Sequence, residues 1–264
     1  MDPIQSFYER FPYPHVQRFS RERMETYATP LIAPAKMKMS DLKEKTILDV
    51  GCGTGEIACS LATYAKHVNG IDISAKSIAL AKERAREFGL KNITFTQTDL
   101  FSYYPKKKYD TVTSFGVFHH TAQPEKAFER MSEWVKSHGI MIVGFYHPWG
   151  GWWQRLQKKM ARIFGGKSVE EKLKWVENYQ HKKMNPHSQA FWADRIANPR
   201  EEYYRVGDIK KWFEANGMEV IGIQSHKPEW NVKNANNPFY ILRFELELFI
   251  RRKRFVIMAG RKLD

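Results

Sequence analysis

Cysteine is scarce in this chain: Cys52 and Cys59 are the only two in 264 residues. Two thiols cannot build a disulfide framework or a four-ligand zinc site. No apolar run approaches the roughly 20 residues that a membrane helix needs. Met1-Asp2-Pro3-Ile4-Gln5 has no basic stretch ahead of an apolar one, so a secretion signal is not expected. These absences set the expectation of a cytoplasmic protein with no membrane span and no metal. There is no internal repeat and no low-complexity tract. A hydrophobic content of 42% excludes a disordered chain, which could not offset its ordering entropy.

Acid is also in short supply. The chain holds 29 Asp and Glu against 43 Lys and Arg, a formal net charge of +14. The excess is uneven. Residues 1–150 carry 20 basic and 16 acidic residues, a net of +4, whereas 151–264 carry 23 and 13, a net of +10. Basic clusters occur at Arg155, Lys158, Lys159 and Arg162, at Arg251-Arg252-Lys253-Arg254, and at Lys106-Lys107-Lys108. A surplus of this size attracts polyanions or anionic membranes.

Residues 1–40 contain five prolines and read as irregular, with short helices around Ile4–Glu9 and Arg21–Tyr27. A regular rhythm begins at 46. Strands are expected at Thr46–Val50, His67–Asp72, Ile93–Gln97, Tyr109–Phe115 and Ile140–Phe145. Helices are expected at Glu56–Tyr64, Ser74–Phe88 and Pro124–Val135, then, after a gap, at Val206–Asn216. A strand at Met218–Gln224, a helix reaching Ile250 and a last strand at Arg254–Ala259 complete the pattern. Alternating strands and helices imply right-handed βαβ units and an α/β fold with a parallel sheet. Residues 146–203 break the rhythm and read as a helical, aromatic and basic insertion after strand 5. The expected organisation is therefore an N-terminal aromatic, proline-rich extension (1–41), a core (42–145 and 204–264) and a cap (146–203).

The first strand ends in Asp49-Val50-Gly51-Cys52-Gly53-Thr54-Gly55. Glycines there let the backbone turn sharply and approach a ligand. Ligands of open parallel sheets bind outside the carboxyl ends of the strands, where Asp49, Asp72 and Asp99 fall. Asp72 lies 21 residues after Gly51, a spacing that suits a carboxylate accepting from a ribose diol. A nicotinamide-dinucleotide fingerprint needs a third glycine at position 56, which is Glu56, and its carboxylate would repel a pyrophosphate. No Gly-Lys-Ser/Thr follows, which excludes a P-loop. The loop suits an adenosyl ligand that is not a phosphate ester, and Asp99 in Gln97-Thr98-Asp99-Leu100-Phe101 can accept from an adenine amino group.

Ile47-Leu48-Asp49-Val50-Gly51-Cys52-Gly53-Thr54-Gly55 resembles the first motif of class I S-adenosylmethionine-dependent methyltransferases. Asp72 matches that family's ribose acid and Asp99 its adenine-edge acid. Tyr109-Asp110-Thr111-Val112 and Phe118-His119-His120 resemble its fourth strand and the turn beyond it. Tyr204-Arg205-Val206-Gly207-Asp208 through Gly217-Met218-Glu219-Val220 resembles its late helix and strand. The resemblance spans about 42–145 and 204–260. It implies a Rossmann-like seven-stranded sheet with an antiparallel last strand, S-adenosyl-L-methionine as cofactor, and methyl transfer. It implies cofactor contacts at Asp49, Gly51, Cys52, Gly53, Gly55 and Asp72, and also at Ile73, Asp99, Leu100, Ser114 and Phe115.

The acceptor is harder to read, because methyl transfer chiefly needs positioning and a general base is optional. His119 and His120 after strand 4, and Tyr146 and His147 after strand 5, are the catalytic candidates. Ser114-Phe115-Gly116 departs from the Asn/Asp/Ser-Pro-Pro-Tyr/Phe stretch of enzymes that methylate exocyclic amines of nucleic acids. No cysteine lies near 114–120, so a cysteine-dependent attack on a pyrimidine ring is not expected. Aromatic plates beside positive charge suit RNA, where charge tracks phosphates and rings stack on splayed bases. On that ground Tyr8, Tyr13, Trp149, Trp152, Arg155, Lys158, Lys159 and Arg162 are candidate RNA contacts. The Phe7–Pro14 segment with the basic insertion resembles archaeal methyltransferase-like proteins, including a group that methylates N4 of an rRNA cytidine. The charge favours RNA, rRNA before tRNA, as the expected substrate. The alternative is a small-molecule, lipid or quinone methyltransferase, which the His119-His120 region resembles more closely. A basic amphipathic helix at 153–164 also suits an anionic membrane. A non-enzymatic cofactor-binding regulator is disfavoured, since no loop residue looks degraded.

Overall fold

A computed structural model describes residues 2–14, 20–225, 231–232 and 234–264. Seven strands form: β1 (Thr46–Val50), β2 (His67–Asp72), β3 (Ile93–Gln97), β4 (Tyr109–Phe115), β5 (Val135–Tyr146), β6 (Met218–Ser225) and β7 (Phe255–Lys262). Their order is β3-β2-β1-β4-β5-β7-β6, parallel from β3 to β5, with β7 running antiparallel between β5 and β6. Near-continuous burial along β1 and β4 is the mark of strands covered on both faces.

Three helices precede the sheet: α1 (Pro3–Arg10), α2 (Arg21–Thr26) and α3 (Thr29–Ile32). The stretch read as irregular is thus largely helical. Asp2 caps α1 and Ser20 caps α2, each accepting from a backbone amide within three residues. Met24, Ala28, Ile32 and Leu42 are all essentially buried and share one core with α4 (Glu56–Ala62) and α5 (Ala75–Glu87). The Ala28 amide donates to Ser60 Oγ at 3.0 Å, joining this segment to α4. The opposite face of the sheet is covered by α6 (Pro124–Glu133), α10 (Val206–Ala215) and α11 (Pro238–Arg251). Between β5 and α10 lie α7 (Trp152–Phe164), α8 (Val169–Gln180) and α9 (Pro186–Ala197), which pack on one another around Ala161, Val176 and Ile196. Phe7 of α1 inserts beside Leu173 and Ala193, so the N-terminal helix joins the cap's own small core.

One strand departs from expectation. β5 begins at Val135, five residues before Ile140, and the helix before it stops at Glu133. Tyr109 pairs with Val135 but Thr111 pairs with Ile140, so residues 136–139 bulge out of the ladder. His138 takes a φ of +59° there. Lys136 in the bulge reaches Asp110 at 2.9 Å.

The sheet positions the site by its topology. β1 has β2 on one side and β4 on the other, so the chain reverses direction across the sheet at this point. The carboxyl ends of β1, β2 and β4 open on the resulting crevice.

Candidate active site

A cavity of about 530 Å³ occupies that crevice. Its walls come from the ends of β1, β2 and β4, from the turn after β3, from α1 and Tyr13-Pro14, from α9, and from the start of β7.

At one end the glycine loop turns over β2. The amides of Gly51 and Cys52 both donate to the Ile71 carbonyl, at 2.8 and 3.0 Å. Gly53 has a φ of +53°, and a Cβ there would lie 2.3 Å from the Tyr13 carbonyl oxygen. Only glycine lets the N-terminal turn close against the loop. Asp72 accepts from the Gly53 amide through Oδ2 and from the Ser74 amide through Oδ1, both at 2.9 Å. Each oxygen keeps a further lone pair, and the residue lines the cavity. Burial pushes its carboxyl up, and the two backbone hydrogen bonds work against that rise. Asp99 accepts from the Phe101 amide at 2.7 Å and also lines the cavity.

Asp49 is the least satisfied of the three acids. Its Oδ1 accepts from Thr113 Oγ1 at 2.7 Å, while Oδ2 is buried without a partner. Burial above all, and then the nearby Asp72 charge, raise its carboxyl to about 7 against the pull of the Thr113 hydrogen bond. An orphaned carboxylate oxygen in a cavity wall calls for a donor, and a ligand amine supplies one. Glu56 also lines the cavity, held by Arg84 at 2.9 Å and by Thr54 Oγ1 at 2.9 and 2.7 Å, so its charge is largely paired. The Cys52 thiol is buried and pushed well above its ordinary range by that burial, which makes it no nucleophile.

The other end is aromatic. Tyr8, Tyr13, Tyr146 and Phe255 line it with His120, while Tyr27 lines the cavity nearer Glu56. His120 Nδ1 lies 2.6 Å from the Arg200 carbonyl oxygen, an acceptor only, so this nitrogen carries the proton and Nε2 keeps a lone pair. Burial lowers the His120 pKa, with Asp194 and the Arg200 carbonyl opposing, so the ring is neutral at physiological pH. Tyr8 donates its hydroxyl to Asp194 Oδ1 at 3.0 Å, and Asn198 Nδ2 reaches both groups at 3.1 and 3.0 Å. The Arg254 guanidinium lies 3.6 Å from the centroid of the Tyr146 ring and bonds Glu201 Oε1 at 2.7 Å.

Most of the expected cofactor residues line this cavity: Asp49, Gly51, Cys52, Gly53 and Asp72, with Ile73, Asp99, Leu100 and Phe115. Gly55 and Ser114 do not. Gly55, at a φ of +85°, lies where a Cβ would sit 2.8 Å from the Ala81 Cβ, so its smallness lets α4 pack on α5. Ser114 is buried inside β4. Of the four catalytic candidates, His120 and Tyr146 line the cavity, whereas His119 and His147 do not. His119 lies behind them, fully buried between His120 and Tyr146, with neither ring nitrogen partnered. His147 is turned to Glu245, with Nε2 3.1 Å from Oε1.

The expected RNA contacts divide in the same way. Tyr8 and Tyr13 line the cavity; Trp149, Trp152, Arg155, Lys158, Lys159 and Arg162 lie outside it. Arg155 packs over Tyr203 and donates to the Pro148 carbonyl. Trp149 lies under Arg205 at 4.6 Å, and Trp152 Nε1 donates to the Phe249 carbonyl at 3.3 Å. Lys158 holds Glu201 at 3.1 Å, and Glu201 in turn holds Arg254. Lys159 and Arg162 are exposed on α7.

Asp194 and Arg254 were missed from sequence. Arg254 belongs to a basic run that reads as surface, yet it immediately precedes β7, where the partly buried Phe255 pairs with Tyr146 and burial is complete from Val256 to Ala259. Asp194 is an acid on the apolar face of α9, beside Ala190, Ala193 and Ile196. Both anomalies are sequence signals. Among the described residues no group of His, Cys, Asp and Glu is placed to hold a metal ion, and no helix is long and apolar enough to cross a membrane.

Residues 41–217 match a protein family described as a methyltransferase domain. A ubiquinone biosynthesis O-methyltransferase of Rickettsia typhi is 30% identical over 212 residues, covering 80% of this chain and 77% of that protein. An uncharacterized protein of Synechococcus is 26% identical over 207 residues, 70% of this chain, and this chain spans 49% of its length. Among solved structures, PKMT2 from Rickettsia typhi in complex with AdoHcy superposes with a TM-score of 0.64 at 16% identity. That match covers 89% of this chain and 54% of the other, so it speaks to the fold.

Proposed function

The chain belongs to the methyltransferase domain family, whose class I members use S-adenosylmethionine, and from that premise we propose that it methylates a hydroxyl of a small aromatic acceptor of the quinone-precursor kind. The observation that carries this reading is the acceptor end of the cavity, a wall of tyrosines and Phe255 with one neutral imidazole in it. The similarity to ubiquinone O-methyltransferases supports the same class of acceptor. RNA, the expectation drawn from charge, has no support among these relatives, nor has the likeness to rRNA cytidine N4 enzymes. The basic residues it drew on lie outside the cavity wall.

The cofactor brings an electrophilic methyl group on a sulfonium. In this reading Asp72 accepts from its ribose hydroxyls, Asp99 faces its adenine edge, and the orphaned Asp49 Oδ2 receives its ammonium. The aromatic wall holds the acceptor ring and excludes water. His120 takes the acceptor's hydroxyl proton on Nε2 while the Arg200 carbonyl holds Nδ1–H and fixes the ring. Asn198 and Asp194 hold the Tyr8 hydroxyl, so that ring presents a fixed edge to the acceptor.

The test offers methyl-labelled cofactor with a catechol bearing an apolar tail, and separately with rRNA and tRNA. Label in the phenolic ether is the expected result. Label in RNA and none in the catechol overturns the reading.

A further inference from the structure

Two helices carry the same unpartnered pattern. On α7 the outward apolar residues are Trp153, Leu156, Met160, Ile163 and Phe164; on α11 they are Phe239, Leu242, Leu246, Phe249 and Ile250. Both sets follow the steps i, i+3, i+7, i+10 and i+11, which trace one stripe along a helix. The inward faces are separate: α11 sends Phe244 and Leu248 into the core, and α7 buries Gln154 and Ala161. All of the outward residues except the half-buried Met160 are exposed, most fully Ile250 at 75%, Phe239 at 67%, Phe164 at 65% and Ile163 at 61%. The two stripes meet at one end. The Trp152 and Phe249 rings are 5.9 Å apart, and the Arg252 guanidinium lies 5.3 Å and 5.1 Å from the Trp152 and Trp153 rings.

Cations border this surface. Arg155, Lys159, Arg162, Arg251 and Arg252 are exposed beside the stripes. α7 contains no acidic residue, and on α11 Glu245 is buried while Glu247 lies 3.4 Å from Arg243. A contiguous apolar face of this kind, rimmed by one sign of charge, marks an interaction surface.

We propose that the α7–α11 face docks on an anionic lipid bilayer, its aliphatic and aromatic side chains entering the acyl boundary and its arginines and lysines meeting the headgroups. Branched aliphatics such as Leu156, Ile163, Leu242, Leu246 and Ile250 offer nothing for a nucleobase to stack on, which argues against RNA as the occupant. A second copy of the chain in a twofold contact would set these cations against their own counterparts, which argues against a dimer. The proposal does not depend on the identity of the methyl acceptor.

Cosedimentation of the full chain with vesicles tests it, using phosphatidylcholine mixed with phosphatidylglycerol against phosphatidylcholine alone. The protein is expected to pellet with the mixed vesicles, and added salt is expected to weaken binding. Leu246→Asp and Ile250→Asp should each lower the partition coefficient about tenfold or more, and Ile250→Ser should lower it less while leaving melting and cofactor binding unchanged. Arg162→Gln with Arg252→Gln should remove the preference for the anionic lipid. Three results overturn the proposal: protein that stays in the supernatant with both vesicles, binding indifferent to all these substitutions, or a dimer in light scattering that Ile250→Asp dissociates. RNA binding lost in the arginine variants but kept in the Leu246 and Ile250 variants, with no vesicle binding, also overturns it.

Discussion

His120 and Asp49 are both buried ionisable side chains in the cavity wall, displaced in opposite directions along the pH scale relative to their charged forms. His120 is lowered, so it is neutral and can accept a proton throughout the neutral range. Replacing it with glutamine is expected to reduce kcat by about 10²–10⁴, the span of a general base, while calorimetry shows cofactor affinity unchanged. A rate equal to wild type would remove it from the chemistry. Asp49 is raised to about 7. A ligand ammonium needs its carboxylate form, so below about pH 7 binding must first remove a proton. The cofactor dissociation constant is expected to rise up to tenfold for each pH unit below that point and to level off above it. Asp49→Asn should bind weakly with a flat pH response. A wild-type response that is already flat would show that Asp49 does not meet the amine. Neither displacement is readable from sequence. The positions of both residues are legible, because Asp49 lies at the carboxyl end of β1 and His120 follows β4, but the imidazole's carbonyl partner is Arg200, 80 residues away.

At the level of elements, β1 to β4 lie where their buried runs and flanking turn residues put them, with matching boundaries. β5 does not, because residues 136–139 interrupt its apolar run with a bulge that reads as a loop. That bulge has a structural use. Asp110 of β4 accepts from the Thr46 amide at 2.8 Å, from the Thr46 hydroxyl at 2.7 Å and from Lys136 at 2.9 Å, pinning β1, β4 and the bulge together. Partial burial pushes its carboxyl up, but these three bonds outweigh it and hold the group at about 2. A folded value below the unfolded one stabilises above the unfolded value of about 4 and is lost as pH falls through the folded one. Asp110→Asn is expected to lose about 1–2 kcal/mol at neutral pH, allowing for partial exposure, and to lose progressively less between pH 4 and 2. Chemical denaturation at several pH values measures both. A loss that does not shrink with acid would assign the effect to packing instead.

Across the whole molecule, the two ends of the chain converge on one cavity. Asp194 from the cap meets both Arg254, just before β7, and Tyr8 from α1, through pairings that span 60 and 186 residues. Such pairings leave no local signature, so the cofactor end was legible as a motif, while at the acceptor end Tyr8, Tyr13, His120 and Tyr146 were legible as single residues but their partners Asp194 and Arg254 were not. The net charge of +14 pointed to a polyanion beside the methyl donor, but the basic residues of α7 and the exposed Arg251 and Arg252 at the end of α11 lie outside the cavity wall. Gly53→Ala tests the convergence, since the added methyl meets the Tyr13 carbonyl and the residue sits at positive φ. The change is expected to cost about 1–2 kcal/mol from backbone conformation alone and to lower Tm by a few degrees. Unaltered melting and unaltered cofactor affinity would mean that the N-terminal turn does not close on the loop in solution.

The N-terminal segment borders both halves of the cavity, with Asp2, Ile4, Tyr8 and Tyr13 all in its wall. A wall shared by two ligands makes their residence times interdependent: whichever is bound holds the segment in place for the other. Acceptor analogues should therefore slow the escape of the spent cofactor, and the enzyme should show mutual protection between its ligands rather than independent exchange. Stopped-flow release of S-adenosylhomocysteine, with and without a bound catechol, reads that dependence directly.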